Sequence, residues 1–121
     1  MSAIGTVVAL TIDCPDPAAL ARFYEDALGW GVIYSDEHAV YLSGDGLRLG
    51  FQRVANYTPP DWPSQDVPQQ LHLDIAVEDI AAAASRLAEL GARPAPEQPG
   101  GENWHVMLDP AGHPFCLTTA Y

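Results

Sequence analysis

Polar side chains that can take part in chemistry recur at alternating positions in short segments of this chain. His72 and Asp74 are separated by one residue, and so are Cys116 and Thr118. Imidazole, carboxylate and thiol groups can move protons or attack a substrate, and they can also bind a ligand. Because alternate side chains of a strand share a face, we expect one polar face. Its members are Arg48, Gln52, His72, Asp74, Cys116 and Thr118.

Aromatic side chains near these segments supply a second kind of contact. Trp104 is either a core residue or a platform for a ligand, and Trp62 in a proline-rich stretch is either a lid or an interface plug. Trp30 and Tyr41 are further candidates. Stacking on such rings contributes roughly 0.5–1.5 kcal/mol per pair beyond area burial. Polar groups and rings gathered in a cleft predict a ligand site.

The same polar residues have structural interpretations. His72 can be a hydrogen-bonded histidine at the start of a strand, and Cys116 a small buried apolar residue. A Cys116–His72 pair would activate a thiolate only if the two side chains touch, and the sequence shows no third group to orient them. Arg48 is either a surface charge or an anchor for an anionic group. We expect it to pair with Asp74, because a carboxylate in a cleft needs a partner.

Two similar halves must position these residues. Val7–Gly29 and His72–Gly91 each contain an apolar run, an acidic turn and an amphipathic helix that stops at Leu-Gly. Asp16, followed by a proline, and Asp79 are placed to cap the two helices. Strands are predicted at Val7–Ile12, Gly31–Tyr34, Ala39–Ser43, Leu47–Arg53, Leu71–Val77, Asn103–Leu108 and Pro114–Thr119, with a short edge strand between Gly91 and Gly101.

This pattern predicts one α+β domain over residues 1–121, built from two tandem βαβββ modules. The first module spans about residues 5–54 and the second about 71–121. Residues 55–70, which include four prolines, connect them. Each half alone would be marginal in size, so the halves should pack together or across a dimer.

Composition excludes several classes of partner. The net charge is −11, from 16 acidic residues against 5 basic residues that are all arginine. We therefore expect no nucleic-acid or membrane partner, because both require a basic face. The sequence shows no pattern of a signal peptide or membrane span. Cys14 and Cys116 are too few for a disulfide framework, so we expect free thiols and a cytoplasmic location.

Several short motifs occur in order along the chain. They are Phe23-Tyr24 with Leu28-Gly29, Pro59-Pro60-x-Trp62-Pro63, His72 to Val77-x-Asp79, Leu90-Gly91-Ala92, Asp109-Pro110-Ala111-Gly112 and Phe115-Cys116-Leu117. Together they resemble the glyoxalase, bleomycin-resistance and extradiol-dioxygenase (vicinal oxygen chelate) superfamily, and within it the glyoxalase-like domain proteins. The resemblance implies mixed sheets that curl around a cleft, commonly completed as a homodimer.

The resemblance also implies where a metal would be held. Metal-dependent members carry His, Glu or Gln at positions that correspond here to Val7, Gly50, His72 and Cys116. Val7 and Gly50 have no side-chain ligand, so His72 is the only matching position. A catalytic metal site needs about three protein ligands and an open position. We therefore expect no metal and no other cofactor.

These observations favour a metal-independent protein that binds a small aromatic or cationic molecule. The resemblance implies sequestration as the use of such a cleft, as in the antibiotic-binding branch of the superfamily. The expected ligand contacts are Arg48, Gln52, Trp62, His72, Asp74, Trp104, Cys116 and Thr118. The alternative is a lyase or isomerase in which His72 acts with Cys116 or Asp74. A third hypothesis is a structural or regulatory dimer without a ligand-sized pocket.

Overall fold

In the computed structural model, which describes residues 3–119, the chain forms two four-stranded mixed sheets and two helices. The predicted α+β class and duplicated βαβββ order are confirmed. The chain divides into two compact units between Tyr57 and Thr58, called here the first unit and the second unit. The elements are β1 Leu10–Cys14, α1 Pro17–Leu28, β2 Gly31–Ser35, β3 Ala39–Gly44, β4 Leu47–Arg53, β5 Leu73–Ala76, α2 Ile80–Glu89, β6 Arg93–Pro94, β7 Trp104–Leu108 and β8 Pro114–Thr118.

The sheet of the first unit has the strand order β1-β4-β3-β2, with β1 and β4 parallel. Asp16 caps α1 as predicted, because its carboxylate accepts a hydrogen bond of 3.3 Å from the Ala19 amide. The apolar side of α1 packs on β3 and β4, where the Tyr24 ring stacks on Phe51 with 5.4 Å between centroids. This packing fixes one face of the sheet against the helix and turns the alternate residues to the other face.

The sheet of the second unit repeats this order as β5-β8-β7-β6, with β5 and β8 parallel. Asp79 caps α2 through a hydrogen bond of 3.0 Å from the Ala82 amide. Leu87 of α2 is buried. The edge strand β6 has only two residues, as its proline predicts. Between residues 3 and 119, neither helix is long and apolar enough to cross a membrane.

The first strand begins later than predicted. β1 starts at Leu10, and both Val7 and Val8 are exposed. The ladder begins with the pair Leu10 and Leu49, while β4 itself starts at Leu47 directly after a tight turn. Val8 and Ala9 lie outside the ladder although β4 continues for two residues beyond it, so apolar character alone does not make them strand.

The ladders define which residues of the two units are equivalent. Thr11 lies opposite Gly50 in the parallel pair of the first sheet. Asp74 lies opposite Cys116 in the parallel pair of the second sheet. Thr11 and Asp74 each lie five residues before the aspartate that caps the following helix, so Thr11 is equivalent to Asp74 and Gly50 to Cys116.

Candidate functional site

The second unit contains a pocket with a volume of about 470 Å³. The predicted site residues in its wall are Trp62, His72, Asp74, Trp104, Cys116 and Thr118. The remaining wall residues are Gln69, Pro99, Val106 and Pro114. A ligand-sized pocket is thus present, which counts against the hypothesis of a dimer without one.

The pairing of β5, β8 and β7 explains why these side chains meet. Asp74 lies opposite Cys116, and Trp104 starts the next strand of the same sheet. The alternate residues of β8, Phe115 and Leu117, are buried on the other face. The pocket therefore lies on the sheet face that the alternation of polar and apolar residues predicts.

Trp104 is positioned by close contact with a glycine. A Cβ atom at Gly100 would lie 2.3 Å from Cδ2 of the indole, so a side chain at that position would displace the ring. Gln98 ties this loop to β7, since its amide donates to the Val106 carbonyl and accepts from the Val106 amide, each at 2.8 Å. Trp104 remains 40% exposed. The ring is therefore held in place with surface available to a ligand.

Trp62 forms another part of the wall. It lies in the proline-rich connection and is half-buried. Its ring packs against the buried cluster of Ala95, Val106 and Leu108. The connection therefore contributes a fixed aromatic side chain to the pocket.

Asp74 is the centre of a polar cluster in the pocket. Its Oδ1 atom lies 3.3 Å from Nε2 of His72, and the Cys116 thiol donates a hydrogen bond to the same carboxylate. The side chains of His72 and Asp74 are 40% and 43% exposed. Asp74 thus has partners within its own unit, whereas the sequence suggested Arg48.

The environment of Cys116 opposes a role as a nucleophile. Burial, followed by the negative charge of Asp74 and the hydrogen bond to it, raises the pKa of the Cys116 thiol. A thiol with a raised pKa stays protonated at neutral pH, and only the thiolate attacks. The sequence showed no third group that would orient a Cys116–His72 pair. In the structure Asp74 contacts both side chains, but it holds the proton on sulfur instead of helping His72 to remove it.

We expect the Cys116 thiol to react with iodoacetamide more slowly than free glutathione at the same pH. Because its pKa is raised, the rate should still be increasing at an alkaline pH at which glutathione has levelled off. Asp74→Asn should accelerate the reaction by removing the neighbouring charge. Cys116→Ser is the control, since Cys14 is buried and should not react in the folded protein. Alkylation faster than that of glutathione would contradict this assignment.

The equivalent face of the first unit has a different character. The Tyr41 ring covers Gly50, where a Cβ atom would lie 2.2 Å from Cε2 of the ring. The Tyr41 hydroxyl lies 3.2 Å from Oγ1 of Thr11, within hydrogen-bond distance. Arg48 and Gln52 alternate with Gly50 on β4 and are exposed. This face therefore carries an aromatic ring and polar groups where the second unit has its polar cluster.

The positions implied for metal ligands in the first unit do not fit a metal. Counting back from the ladder pairs makes Ala9 the equivalent of His72, so the assignment of Val7 is wrong by two residues. Neither residue has a ligating side chain. A ligand in place of Gly50 would collide with the Tyr41 ring. The first unit can therefore supply none of the implied ligands.

The polar cluster of the second unit has the donor types of a metal site, and its members also contact one another directly. The donor atoms of His72, Asp74 and Cys116 lie within 4.8 Å of one another and include nitrogen, oxygen and sulfur. Such a set resembles a zinc site in composition. However, an ion at this place would have to displace the proton of the Cys116 thiol and compete with the contacts that Asp74 makes to His72 and Cys116. The cluster is explained by the two partners of Asp74.

Gln69 is a pocket residue that the sequence did not single out. Among the residues that the structure describes, its Oε1 atom is buried without a hydrogen-bond partner. Leaving such an acceptor unpaired costs about 1–3 kcal/mol. Alternation extended back from His72 would select Gln70, but the chain bends there and β5 begins only at Leu73. No periodic signal could have identified Gln69.

Comparison with known proteins identifies relatives of this fold. A family model of the glyoxalase-like domain matches residues 9–118. No curated protein sequence matches the chain. Because this match covers nearly the whole chain, the resemblance of the sequence to the glyoxalase-like domain proteins is confirmed.

Solved structures of similar fold include proteins of several activities. A glyoxalase-related enzyme from Fulvimarina pelagi is 20% identical, with a TM-score of 0.69 over 95% of this chain and 88% of its own. A fosfomycin resistance protein, FosX, from Listeria monocytogenes, complexed with Mn(II) and a dihydroxypropylphosphonic acid, is 18% identical, with a TM-score of 0.74 over 98% and 93%. The bleomycin-binding protein of Streptomyces verticillus, complexed with copper(II)-bleomycin, is 21% identical, with a TM-score of 0.60 over 98% and 100%. At these identities the similarity concerns the fold.

Proposed function

Because the chain belongs to the glyoxalase-like domain family, we propose that it binds a small aromatic or cationic molecule without a metal ion. The observation that carries the proposal is the pocket of about 470 Å³ in the second unit, with Trp62, Trp104 and Asp74 in its wall. Indole faces attract flat and positively charged groups. The volume falls within the range of about 300–1,000 Å³ that is typical of small-molecule sites.

Charge supports a cationic ligand. The carboxylate of Asp74 is 43% exposed, so it is accessible to a positively charged group in the pocket. The net charge of −11 attracts cations from a distance and speeds their association. His72, Cys116 and Thr118 complete the proposed contacts of the second unit.

We include Arg48 and Gln52 of the first unit among the proposed ligand contacts. Both are exposed, and both alternate with Gly50 on the sheet face that is equivalent to the pocket-lining face of the second unit. Arg48 would suit an anionic group of a ligand, while Gln52 can donate or accept hydrogen bonds.

Metal independence rests on the ligand positions. The first unit offers none of the implied ligands, so only the donors of His72, Asp74 and Cys116 in the second unit are left. The bleomycin-binding relative supports a binding role for this fold, since it is a binding protein with its ligand in place. The FosX relative, complexed with Mn(II), represents the metal-dependent use of the fold that this donor set does not support.

A second candidate is a lyase or isomerase that uses Asp74 with His72 as acid–base groups. The observation that favours it is the accessible carboxylate between the imidazole and the thiol. Cys116 contributes less to this hypothesis than the sequence suggested, because its raised pKa keeps it protonated.

A homodimer and a cytoplasmic location remain part of the proposal. Val32 and Ile33 of the edge strand β2 are exposed, and an apolar edge strand is a natural pairing surface. Neither Cys14 nor Cys116 is part of a disulfide, which suits a reducing compartment.

The proposal is tested by titrating the protein with proflavine, a planar three-ring cation, and measuring the heat of binding. We expect saturable binding in the micromolar range, about −8 kcal/mol or weaker. Tryptophan fluorescence should be quenched in parallel, because Trp62 and Trp104 contact the ring system. Absence of saturable binding would contradict the proposal.

A further inference from the structure

Gln69 presents an unusual acceptor at the pocket wall. Its Oε1 atom is buried and, among the described residues, has no hydrogen-bond partner. Its side chain also lines the pocket beside Trp62 and Trp104. Buried polar atoms in folded proteins are nearly always paired, so an unpaired one next to a ligand pocket indicates a missing partner.

The donors of the polar cluster around Asp74 have their partner within that cluster. The Cys116 thiol donates to Asp74, and His72 Nε2 faces the same carboxylate. These donors are therefore directed to Asp74 and not to Gln69. Because Oε1 is buried, the amide must turn about its terminal torsion, which has a broad energy profile, before the oxygen meets a ligand; the NH2 group then takes the place of the oxygen.

Resting on the proposed function, we infer that Gln69 selects the ligand by accepting a hydrogen bond from an N–H group. The ligand class is then a planar aromatic cation that carries amine or amidine N–H groups. A fully alkylated ammonium or amine of the same shape can still stack on an indole ring but cannot satisfy this acceptor. Gln69 is thus a specificity-determining residue.

Two dyes of the same ring system test the inference. Proflavine carries exocyclic N–H groups, whereas acridine orange has methyl groups on the same nitrogens; both are planar cations at neutral pH. We expect calorimetry to show about tenfold tighter binding of proflavine to the wild-type protein. In Gln69→Met this preference should fall to within about twofold, with acridine orange affinity retained.

The matched control is Gln70→Met, the same change at the next residue. Gln70 is exposed and, in the part of the chain that the structure describes, lies outside the pocket wall. The preference for proflavine should therefore remain. The ratio of the proflavine and acridine orange affinities is measured on the wild-type protein, so it tests the inference even if Gln69→Met does not fold.

Thermal unfolding without ligand supplies an independent readout. Gln69→Met should melt at the same temperature as the wild type or higher, because the substitution removes an unpaired buried acceptor. A lower melting temperature with an unchanged dye preference would show a structural role and overturn the inference. Equal wild-type affinity for both dyes would overturn it while leaving the proposed function intact. Failure of both dyes to bind would overturn the proposed function as well.

Discussion

Trp104→Ala is expected to weaken proflavine binding roughly thirtyfold, or about 2 kcal/mol, measured by calorimetry. The reason is the position of the ring, which packs against Gly100 and is still 40% exposed in the pocket wall. A ring held in this way loses little conformational freedom when a ligand stacks on it, so most of the stacking energy contributes to affinity. Trp104→Phe should retain part of the affinity, because a smaller ring still stacks.

Trp30→Ala is the matched control for this prediction. Trp30 lies in the first unit, where its ring packs against Gly44 and its indole N–H donates to Asp45 at 3.1 Å. This tryptophan therefore supports a turn, although the sequence made it a candidate for the pocket. Its removal should lower stability but change proflavine affinity by no more than about twofold. An unchanged proflavine affinity of Trp104→Ala would show that Trp104 is not part of the ligand site.

Asp109→Ala is expected to lower the free energy of unfolding by about 2–3 kcal/mol, measured by urea denaturation. Asp109 is completely buried, and its Oδ1 atom accepts hydrogen bonds from the amides of Ala111 at 2.9 Å and His113 at 3.0 Å. Removing the carboxylate leaves buried donors without this partner. The melting temperature should fall by about 8–12 °C for a chain of this size.

Asp66→Ala is the control for Asp109, because Asp66 is an exposed aspartate in the same unit. Its replacement should change stability by less than about 0.5 kcal/mol. The Asp109 turn leads directly into β8, so Asp109→Ala should also loosen the strand that carries Cys116. An unfolding free energy equal to that of the wild type would show that the turn does not depend on this carboxylate.

The features that could be predicted from the sequence are local ones. A helix cap is set by one side chain and the next turn of backbone, so Asp16 and Asp79 identified both helices. Within a ladder the side chains alternate strictly, so β5 and β8 presented the predicted face. His72 and Asp74 lie on the same face for the same reason, because they are separated by one residue.

The features that could not be predicted depend on contacts between distant residues. The position of Gln69 depends on the fold of the proline-rich connection, which is closed by a hydrogen bond from the Asp61 amide to the Val67 carbonyl at 2.7 Å. Such a segment has no regular spacing of apolar residues from which its fold could be predicted. Likewise, the sequence showed only that Gly50 has no side chain to bind a metal. The Tyr41 ring covers Gly50 because β3 pairs with β4, and the sequence alone does not reveal that pairing.

The central claim is that the pocket binds its ligand without a metal. The most direct test is proflavine calorimetry on protein stripped with a chelator and on protein incubated with Zn²⁺, Ni²⁺, Mn²⁺ or Fe²⁺, with the metal content of each sample determined. We predict dissociation constants that agree within about twofold and no stoichiometric metal after desalting. A stoichiometric metal, together with loss of binding on stripping, would contradict the claim and place His72, Asp74 and Cys116 around that metal.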